Sequence, residues 1–327
     1  MISRRTFGNF AAGGLLGMSF GAVAQQTGVL WRVGYLAKGA RPADGKVPAA
    51  LRNALQALGH VEGKDITFEG RWAELRSERL PALAAELVAL NVDVIVTLGG
   101  PAAAAAKQAS SVIPIIVVVA GDVVETGLIS SLARPGGNVT GMNDPSAALS
   151  AKRLDLLKEL VPTATRVAVL WNADDHAMTL RYREIEKTAQ MLHLKIEPLG
   201  VREPDDFNAA LASMNRMRPD ALMMVTDALT ILNRQRVIDY AAVNRIPAVY
   251  EFGHLVRAGG LMSYGGMDEN IGLAADYVSK VLKGAKPGDL PVQQPNRYFL
   301  VINMKTAKAL GLTIPQAVLL RADEVIQ

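Results

Sequence analysis

Short apolar runs alternate with amphipathic helical patterns along most of the chain. The runs "WRVGYLA" (31–37), "DVIVTLGG" (93–100) and "IPIIVVVAG" (113–121) are rich in β-branched residues, which predicts buried strands. Between them, apolar residues recur at helical spacing and predict helices, including one from Pro101 and one near 124–133. Continuous apolar strands separated by helices are typical of a parallel sheet covered by helices on both faces.

The same pattern returns in the second half of the chain. The runs "RVAVLWN" (166–172) and "KIEPLGV" (195–201) predict strands, and "DALMMVTDA" (220–228) and "IPAVYEF" (246–252) repeat a strand–helix–strand unit of the first half. This weak internal repeat predicts two similar lobes rather than one long sheet. The pieces after residue 259 are too few for a third core, so we expect them to complete the two sheets. The expected fold is α/β, with two doubly wound parallel-sheet lobes and a hinged cleft.

The N-terminus has the features of an export signal. Arg4 and Arg5, in "SRRTF", precede a short uncharged apolar run that ends in "AVA" (22–24). A basic start, a short apolar centre and a small-x-small end indicate a secretory signal peptide, and the paired arginines indicate the twin-arginine route. The sequence therefore predicts a periplasmic protein whose mature chain begins near Gln25. We expect these divisions: 1–24 signal peptide; 25–143 plus about 255–290 N-terminal lobe; 144–254 plus about 291–327 C-terminal lobe.

Composition narrows the classes of partner. Of 327 residues, 35 are Lys or Arg and 31 are Asp or Glu, so removal of a signal with two arginines leaves 33 basic against 31 acidic residues. These charges are interspersed, which does not favour a nucleic-acid surface. The chain has no cysteine, so we expect neither disulfides nor a lipid anchor at the cleavage site. We expect a soluble monomer that requires no cofactor.

Candidate binding residues lie where predicted strands end, because ligands of open α/β sheets bind beyond the carboxyl ends of the strands. In the first lobe, Gly99 and Gly100 leave room for a ligand, and Pro101 suits a first helical turn. The free amides that follow, from Ala102, can hold a carboxylate or phosphate. The alternative is a plain tight turn into a helix. The first-lobe candidates are Leu36, Gly99, Gly100, Pro101, Ala102, Gly121 and Asp122.

The second lobe supplies acidic and aromatic candidates. Asp227 or Glu251 would bind an ammonium group, and Tyr250 or Trp171 would stack on an apolar ligand. Helix N-caps explain Asp227 and Asn172 equally well. The second-lobe candidates are Trp171, Asn172, Thr226, Asp227, Tyr250, Glu251 and Ser263, the last either in the cleft or along the hinge.

Motifs of enzymes are scarce. The sequence contains no G-x-G-x-x-G after a strand, no Walker loop, no H-E-x-x-H and no G-x-S-x-G. The nearest reactive cluster is "NADDH" (172–176), whose acids and histidine would suit a metal or proton transfer. An acid-rich helix start is the simpler account. We therefore expect a binding protein rather than an enzyme.

Several stretches carry a resemblance to a known family. They are "ALGHVEGKDITFEGRWA", "LPALAAELVALNVDVIVTLGGPAAAAAK", "SLARPGGNVTG", "KRLDLLKELVP", "RVAVLWN", "AGGLMSYG" and "LKGAKPGDLPVQQPNRYFLVINMKTAKALGLTIP". The chain resembles exported substrate-binding proteins of ABC transporters, in the group with tryptophan- and tyrosine-binding members. The resemblance implies a type I periplasmic binding fold, closure around an amino acid or related carboxylate, and delivery to a membrane permease. A sensor that presents the same lobes to a membrane receptor is the alternative, and a cleft enzyme is a third.

Overall fold

A computed structural model describes residues 30–266 and 270–327, and these residues form two α/β lobes. The predicted signal peptide, 1–24, lies outside them. The strands are β1 (Trp31–Ala37), β2 (Ile66–Trp72), β3 (Val94–Leu98), β4 (Ile115–Gly121), β5 (Val139–Asp144), β6 (Arg166–Asn172), β7 (Lys195–Val201), β8 (Ala221–Met224), β9 (Ala248–Tyr250), β10 (Met262–Gly265), β11 (Phe299–Asn303) and β12 (Glu324–Ile326). The helices are α1 (Ala49–Ala57), α2 (Leu80–Ala89), α3 (Gly100–Ala109), α4 (Ser146–Leu160), α5 (His176–Met191), α6 (Asp206–Met217), α7 (Ala228–Leu232), α8 (Arg234–Val243), α9 (Gly253–Arg257), α10 (Asn270–Leu282), α11 (Met304–Leu310) and α12 (Gln316–Leu319).

Lobe 1 is built on a parallel sheet with strand order β2-β1-β3-β4-β5. Successive side chains of a strand point to opposite faces, and β3 shows the consequence. Val94 and Val96 pack in the layer formed with α1 and α10, whereas Ile95 packs in the layer formed with α2 and α3. Both faces are covered, which is why β1, β3 and β4 are nearly continuous apolar runs.

Lobe 2 is built on a sheet with strand order β12-β11-β10-β9-β8-β6-β7, in which β10 and β11 are antiparallel and the other pairs parallel. Helices α4, α5, α11 and α12 cover one face, and α6 to α9 cover the other. The predicted α/β class with two parallel-sheet lobes is confirmed, and β1 and β7 have the predicted bounds.

The chain passes between the lobes at their shared edge. It leaves lobe 1 after Asp144 and returns to it between β10 and α10. Gln293 still belongs to lobe 1, because it forms a β-bridge with Met142 of β5. The chain then leaves lobe 1 again before β11. The sequence predicts that the chain returns to lobe 1 near residue 255, whereas in the structure it returns only after β10. β10 pairs with β9 through Met262 and Ser263, so the chain stays in lobe 2 through β10. A four-residue strand carries too little pattern to show which sheet it joins.

One edge of lobe 1 was not evident from sequence. β5 reads "VTGMND", whose glycine and polar residues hide a buried strand. Gly141 is required there because a Cβ would lie 2.2 Å from the Val117 carbonyl oxygen. The β4–β5 register shifts between Val117 and Ala120, and Val119 in this bulge has φ 49°. Positive φ is unusual for a β-branched residue, and the bulge turns Val119 toward the cleft.

The helix predicted near 124–133 is wrong. That segment is a series of turns in which Gly127 has φ 72° and the Ser131 hydroxyl bonds the Arg134 backbone. A positive φ interrupts a right-handed helix, so the apolar spacing here fits turns. Among the described residues, no helix is both long and apolar enough for a membrane span.

Candidate ligand-binding site

A cavity of about 220 Å³ lies between the lobes, at the carboxyl ends of both sheets. This is where ligands bind in open α/β sheets. The structure brings six of the sequence candidates to its wall: Gly99, Gly100, Pro101, Gly121, Thr226 and Asp227. It adds residues that sequence reasoning missed, among them Lys38, Asp175, Met178, Arg181, Ile231 and Phe252.

The lobe 1 wall is the N-terminus of α3. Gly99 has φ 88° and precedes the helix, which begins at Gly100 and Pro101. Apart from its chain neighbours and the backbone of α3, no described residue lies within 4 Å of the place where a Gly100 Cβ would be. The first amides of a helix have no partner inside it, so this end offers backbone donors and the positive end of the helix dipole. Ala102 differs from expectation, since its side chain is fully buried in the lobe 1 core.

Three buried donors belong to residues that line the cavity. They are Lys38 Nζ, Arg181 Nε and Thr226 Oγ1, and none of them has a hydrogen-bond partner among residues 30–266 and 270–327. Their residues are only 3%, 2% and 6% exposed. A buried donor that is left unsatisfied costs about 1–3 kcal/mol. We call these three groups the cleft donors, and their common chemistry calls for an acceptor such as a carboxylate.

Arg181 also belongs to a buried ion network. Its Nη1 donates to Glu251 Oε2 at 2.8 Å, and its Nη2 donates to Asp144 Oδ2 at 3.0 Å. Arg153 Nη1 donates to the other Glu251 oxygen at 3.1 Å, and Arg153 Nε donates to the Tyr264 carbonyl at 2.6 Å. Burial alone would lower the pKa of Arg181. The negative charges of Glu251 and Asp144 outweigh this effect, so the net pKa of Arg181 lies above the usual range.

The expectation that Glu251 binds a ligand ammonium group needs correction. Both of its carboxylate oxygens accept from arginines, and the side chain is 1% exposed. The network holds the end of β9 against α4 and α5. Glu251 therefore orients Arg181 from behind the cavity wall.

Two carboxylates of lobe 2 face the cavity instead. Asp175 Oδ1 accepts from the backbone N–H groups of Ala177 and Met178 and caps α5. Asp227 Oδ1 accepts from the Thr230 N–H and caps α7. Both acids are thus N-caps and wall residues together. Burial raises the pKa of Asp175, and the nearby Asp227 charge raises it further.

Asn172 has a supporting position. Its Nδ2 donates to Asp227 Oδ2 at 2.5 Å, and its Oδ1 accepts from the Asp174 N–H at 3.0 Å. It is fully buried and does not reach the cavity. The helix cap that we considered for Asn172 is formed by Asp175.

The predicted aromatic contacts need correction as well. Trp171 stacks on Tyr182 with centroids 3.8 Å apart and planes 9° apart, so one face of its indole is already covered. Tyr250 is 1% exposed and packs in the lobe 2 core. Apolar contact in the cavity comes instead from Met178, Ile231 and Phe252.

The other candidates lie near the cavity without lining it. Leu36 points into the lobe 1 core and Ser263 is fully buried in β10. Asp122 follows the wall residue Gly121 but turns toward Asp144 and Arg181 beside the hinge. Strand ends place the backbone correctly, but alternate side chains of a strand point away from the cleft.

No set of three or more His, Cys, Asp and Glu side chains suitable for a metal ion occurs in the part of the chain that the structure describes. Within "NADDH", Asp175 caps α5, and Asp174 Oδ1 lies 3.3 Å from Arg202 Nε.

Comparison with known proteins agrees with this geometry. The family model for ABC transporter substrate binding proteins matches residues 41–326. The chain belongs to this family. Its members and the relatives below are binding proteins rather than enzymes.

A curated relative, the tyrosine-binding protein of Clostridioides difficile (strain R20291), is 29% identical over 272 residues, which cover 83% of this chain and 78% of the relative. Among solved structures, the ABC domain in complex with L-Trp from Streptococcus pneumoniae is 26% identical, with a TM-score of 0.80 over 91% of this chain and 100% of that one. The ligand-free, open structure of a Clostridium difficile substrate binding protein with adhesive properties is 25% identical, with a TM-score of 0.62 over 91% and 100% of the two chains.

The two solved relatives differ in how well they superpose on this substrate-binding protein. Identity and coverage are nearly equal, yet the TM-score is 0.80 with the L-Trp complex and 0.62 with the open structure. Relative lobe orientation changes a whole-chain superposition without changing either lobe. The whole-chain arrangement described here is therefore more similar to that of the L-Trp complex than to that of the open structure.

Proposed function

We propose that this chain is the periplasmic solute-binding component of an ABC importer. It captures an amino acid or related carboxylate between its two lobes and delivers it to a membrane permease. The observation that carries the proposal is the set of cleft donors, since three buried donors without a hydrogen-bond partner belong to residues that line one interlobe cavity. A solute carboxylate supplies the acceptors that these groups lack.

The charges of the wall support a zwitterion. Lys38 and the N-terminus of α3 make the lobe 1 side positive, whereas Asp175 and Asp227 make part of the lobe 2 side negative. A solute with a carboxylate and an ammonium group would bridge the two sides and favour closure. The relatives named as tyrosine-binding and as a complex with L-Trp are consistent with such a solute.

The remainder of the solute would contact apolar side chains. Met178, Ile231, Phe252 and Pro101 line the cavity beyond the charged groups. A large apolar or aromatic side chain would bury its surface there, at roughly 25 cal/mol per Å² removed from water. The proposal therefore favours amino acids with apolar side chains over small polar ones.

Export and delivery complete the proposal. Substrate-binding proteins of ABC transporters are exported, and the twin-arginine pattern at Arg4 and Arg5 supports this route. Membership in the family supports a permease as the partner.

The test begins with the natural solute. Mass spectrometry of small molecules released from the purified protein identifies what co-purifies, and a thermal-shift screen of amino acids, 2-oxo acids and organic acids ranks the classes. We expect an α-amino acid with an apolar side chain to raise the melting temperature. At one hundred times Kd, the added stability should be about 2.7 kcal/mol. Stabilisation by 2-oxo acids but not by amino acids would contradict the zwitterion.

A further inference from the structure

A group of buried charged side chains lies beside the segments that join the lobes, and it contains more acidic than basic residues. Three carboxylates, Asp122, Asp144 and Glu251, lie with two guanidinium groups, Arg153 and Arg181, and all five residues are 9% exposed or less. The two arginines pair with Asp144 and Glu251, as described above. We call these five residues the hinge cluster. If every group in it is ionised, it holds one more negative than positive charge.

Asp122 is the carboxylate in excess. Its Oδ2 is buried and accepts no hydrogen bond from any residue that the structure describes. The groups that face it come from each packed element: Glu125 on its own loop, Asp144 on β5, Arg181 on α5, and the Ala147 N–H at the start of α4. Two of these charges repel the carboxylate and one attracts it.

The position of Asp122 makes this excess depend on closure. Asp122 belongs to lobe 1 and directly follows Gly121, against which α5 of lobe 2 packs. A Cβ on Gly121 would lie 2.7 Å from Arg181 Nη2 and 3.2 Å from the Ala177 Cβ. Opening of the lobes would move α5 away from this point and let water reach the Asp122 carboxyl.

We propose that Asp122 is a positioning residue that couples lobe closure to the uptake of one proton. In the closed arrangement its carboxyl takes up a proton at a higher pH than in the open one, and once that carboxyl is neutral the hinge cluster balances two carboxylates against two arginines. In the open arrangement the solvated carboxyl ionises. Asp122 acts through Arg181, whose Nε is one of the cleft donors, and so acidity favours the state that holds the solute.

The direction of the titration agrees with this geometry. The net pKa of Asp122 is raised to about 6: burial is the largest cause, Arg181 and the Ala147 N–H lower the pKa, and Asp144 and Glu125 raise it. A solvated aspartate has a pKa near 3.9. Because the closed form has the higher pKa, it binds more protons than the open form. The advantage of closure is thus fully present below about pH 4 and is lost as the pH rises through about 6.

The inference rests on the lobe closure of the proposed function. Its test uses ligand-free protein, so the outcome does not depend on which solute the protein binds. The chain has no cysteine, which allows two labels at exposed cleft-side positions, Ala43→Cys in lobe 1 and Leu232→Cys in lobe 2. Fluorescence energy transfer or electron–electron spin distances then report the closed fraction. We expect the ratio of closed to open protein to be about tenfold higher at pH 5.0 than at pH 7.5.

Variants assign the effect to one carboxyl. Asp122→Asn should abolish the pH dependence, because asparagine is isosteric, remains neutral and tolerates the φ of 47°. Asp122→Gly also accepts this φ and serves if the first variant does not fold. Glu125→Gln removes an exposed neighbouring acid and should keep the pH dependence. The four histidines of the chain are the same in all variants. Equal distances at both pH values in the unsubstituted protein, or a wild-type pH response in Asp122→Asn, would overturn the proposal.

Discussion

Lys38 is the residue whose replacement separates stability from binding. Its ammonium group is one of the cleft donors, and the residue is 3% exposed. Methionine matches the length of the lysine stem but carries no charge. In ligand-free protein, Lys38→Met removes an unsatisfied buried donor, so the free energy of unfolding should rise by about 1–3 kcal/mol.

Binding should change in the opposite direction. A hydrogen bond to a charged group contributes about 1.5–3 kcal/mol, and Lys38→Met removes the ammonium side of one. The affinity for a carboxylate solute should therefore fall by roughly tenfold to hundredfold. Opposite signs for stability and affinity are expected of a residue kept for its ligand rather than for the fold.

The assay is urea unfolding of the ligand-free protein, followed by calorimetric titration with the co-purifying solute. Lys64→Met, at an exposed lysine in a turn, is the matched control and should leave both quantities within about 0.5 kcal/mol of the unsubstituted protein. A loss of more than 1 kcal/mol of stability in Lys38→Met would refute the reasoning, because it would give the lysine a structural role.

Three further predictions address closure, the ion network and export. Gly121→Ala places a methyl group against Arg181, so lobe closure should cost about 1–3 kcal/mol more. X-ray scattering at saturating solute should then retain an open-form component, and a fully closed scattering profile would contradict the contact. Glu251→Gln leaves two buried arginines poorly neutralised and should lower the free energy of unfolding by about 3–5 kcal/mol in urea, whereas a loss below 1 kcal/mol would show that the network is dispensable. Replacing Arg4 and Arg5 with lysines should retain precursor in the cytoplasm, and wild-type levels of periplasmic protein in a cell fractionation would exclude the twin-arginine route.

The fold was largely predictable because most of its central strands are buried on both faces. Runs such as 31–37 and 166–172 are nearly continuous in apolar residues, so composition and length define them well. β5 was missed because its glycine is needed for a close backbone approach, which is a tertiary requirement with no local signal. The pairing of β10 with β9 decides which lobe β10 joins, and the sequence alone does not predict this pairing.

The site was predictable only as far as strand ends define it. Gly99, Gly100 and Asp227 reach the cavity because loops after strands converge there. Lys38 lies one residue beyond the chosen strand end, and its long side chain carries the charge inward. Arg181 lies in the second turn of α5, where strand ends give no guidance. Tyr250 shows the converse, since it ends a strand but points into the core.

The central claim is that the solute occupies the interlobe cavity against the N-terminus of α3, and calorimetry on a matched pair of variants tests it most directly. Gly100→Val fills cavity space, whereas Gly137→Val adds the same atoms at an exposed position of lobe 1. In neither place does any described residue lie within 4 Å of the new Cβ, apart from the chain neighbours of the glycine and, for Gly100, the backbone of α3. We predict that Gly100→Val folds normally and weakens binding of the co-purified solute by at least about 1–3 kcal/mol, while Gly137→Val binds as the unsubstituted protein does. Equal affinity in the two variants would contradict the account and place the solute elsewhere.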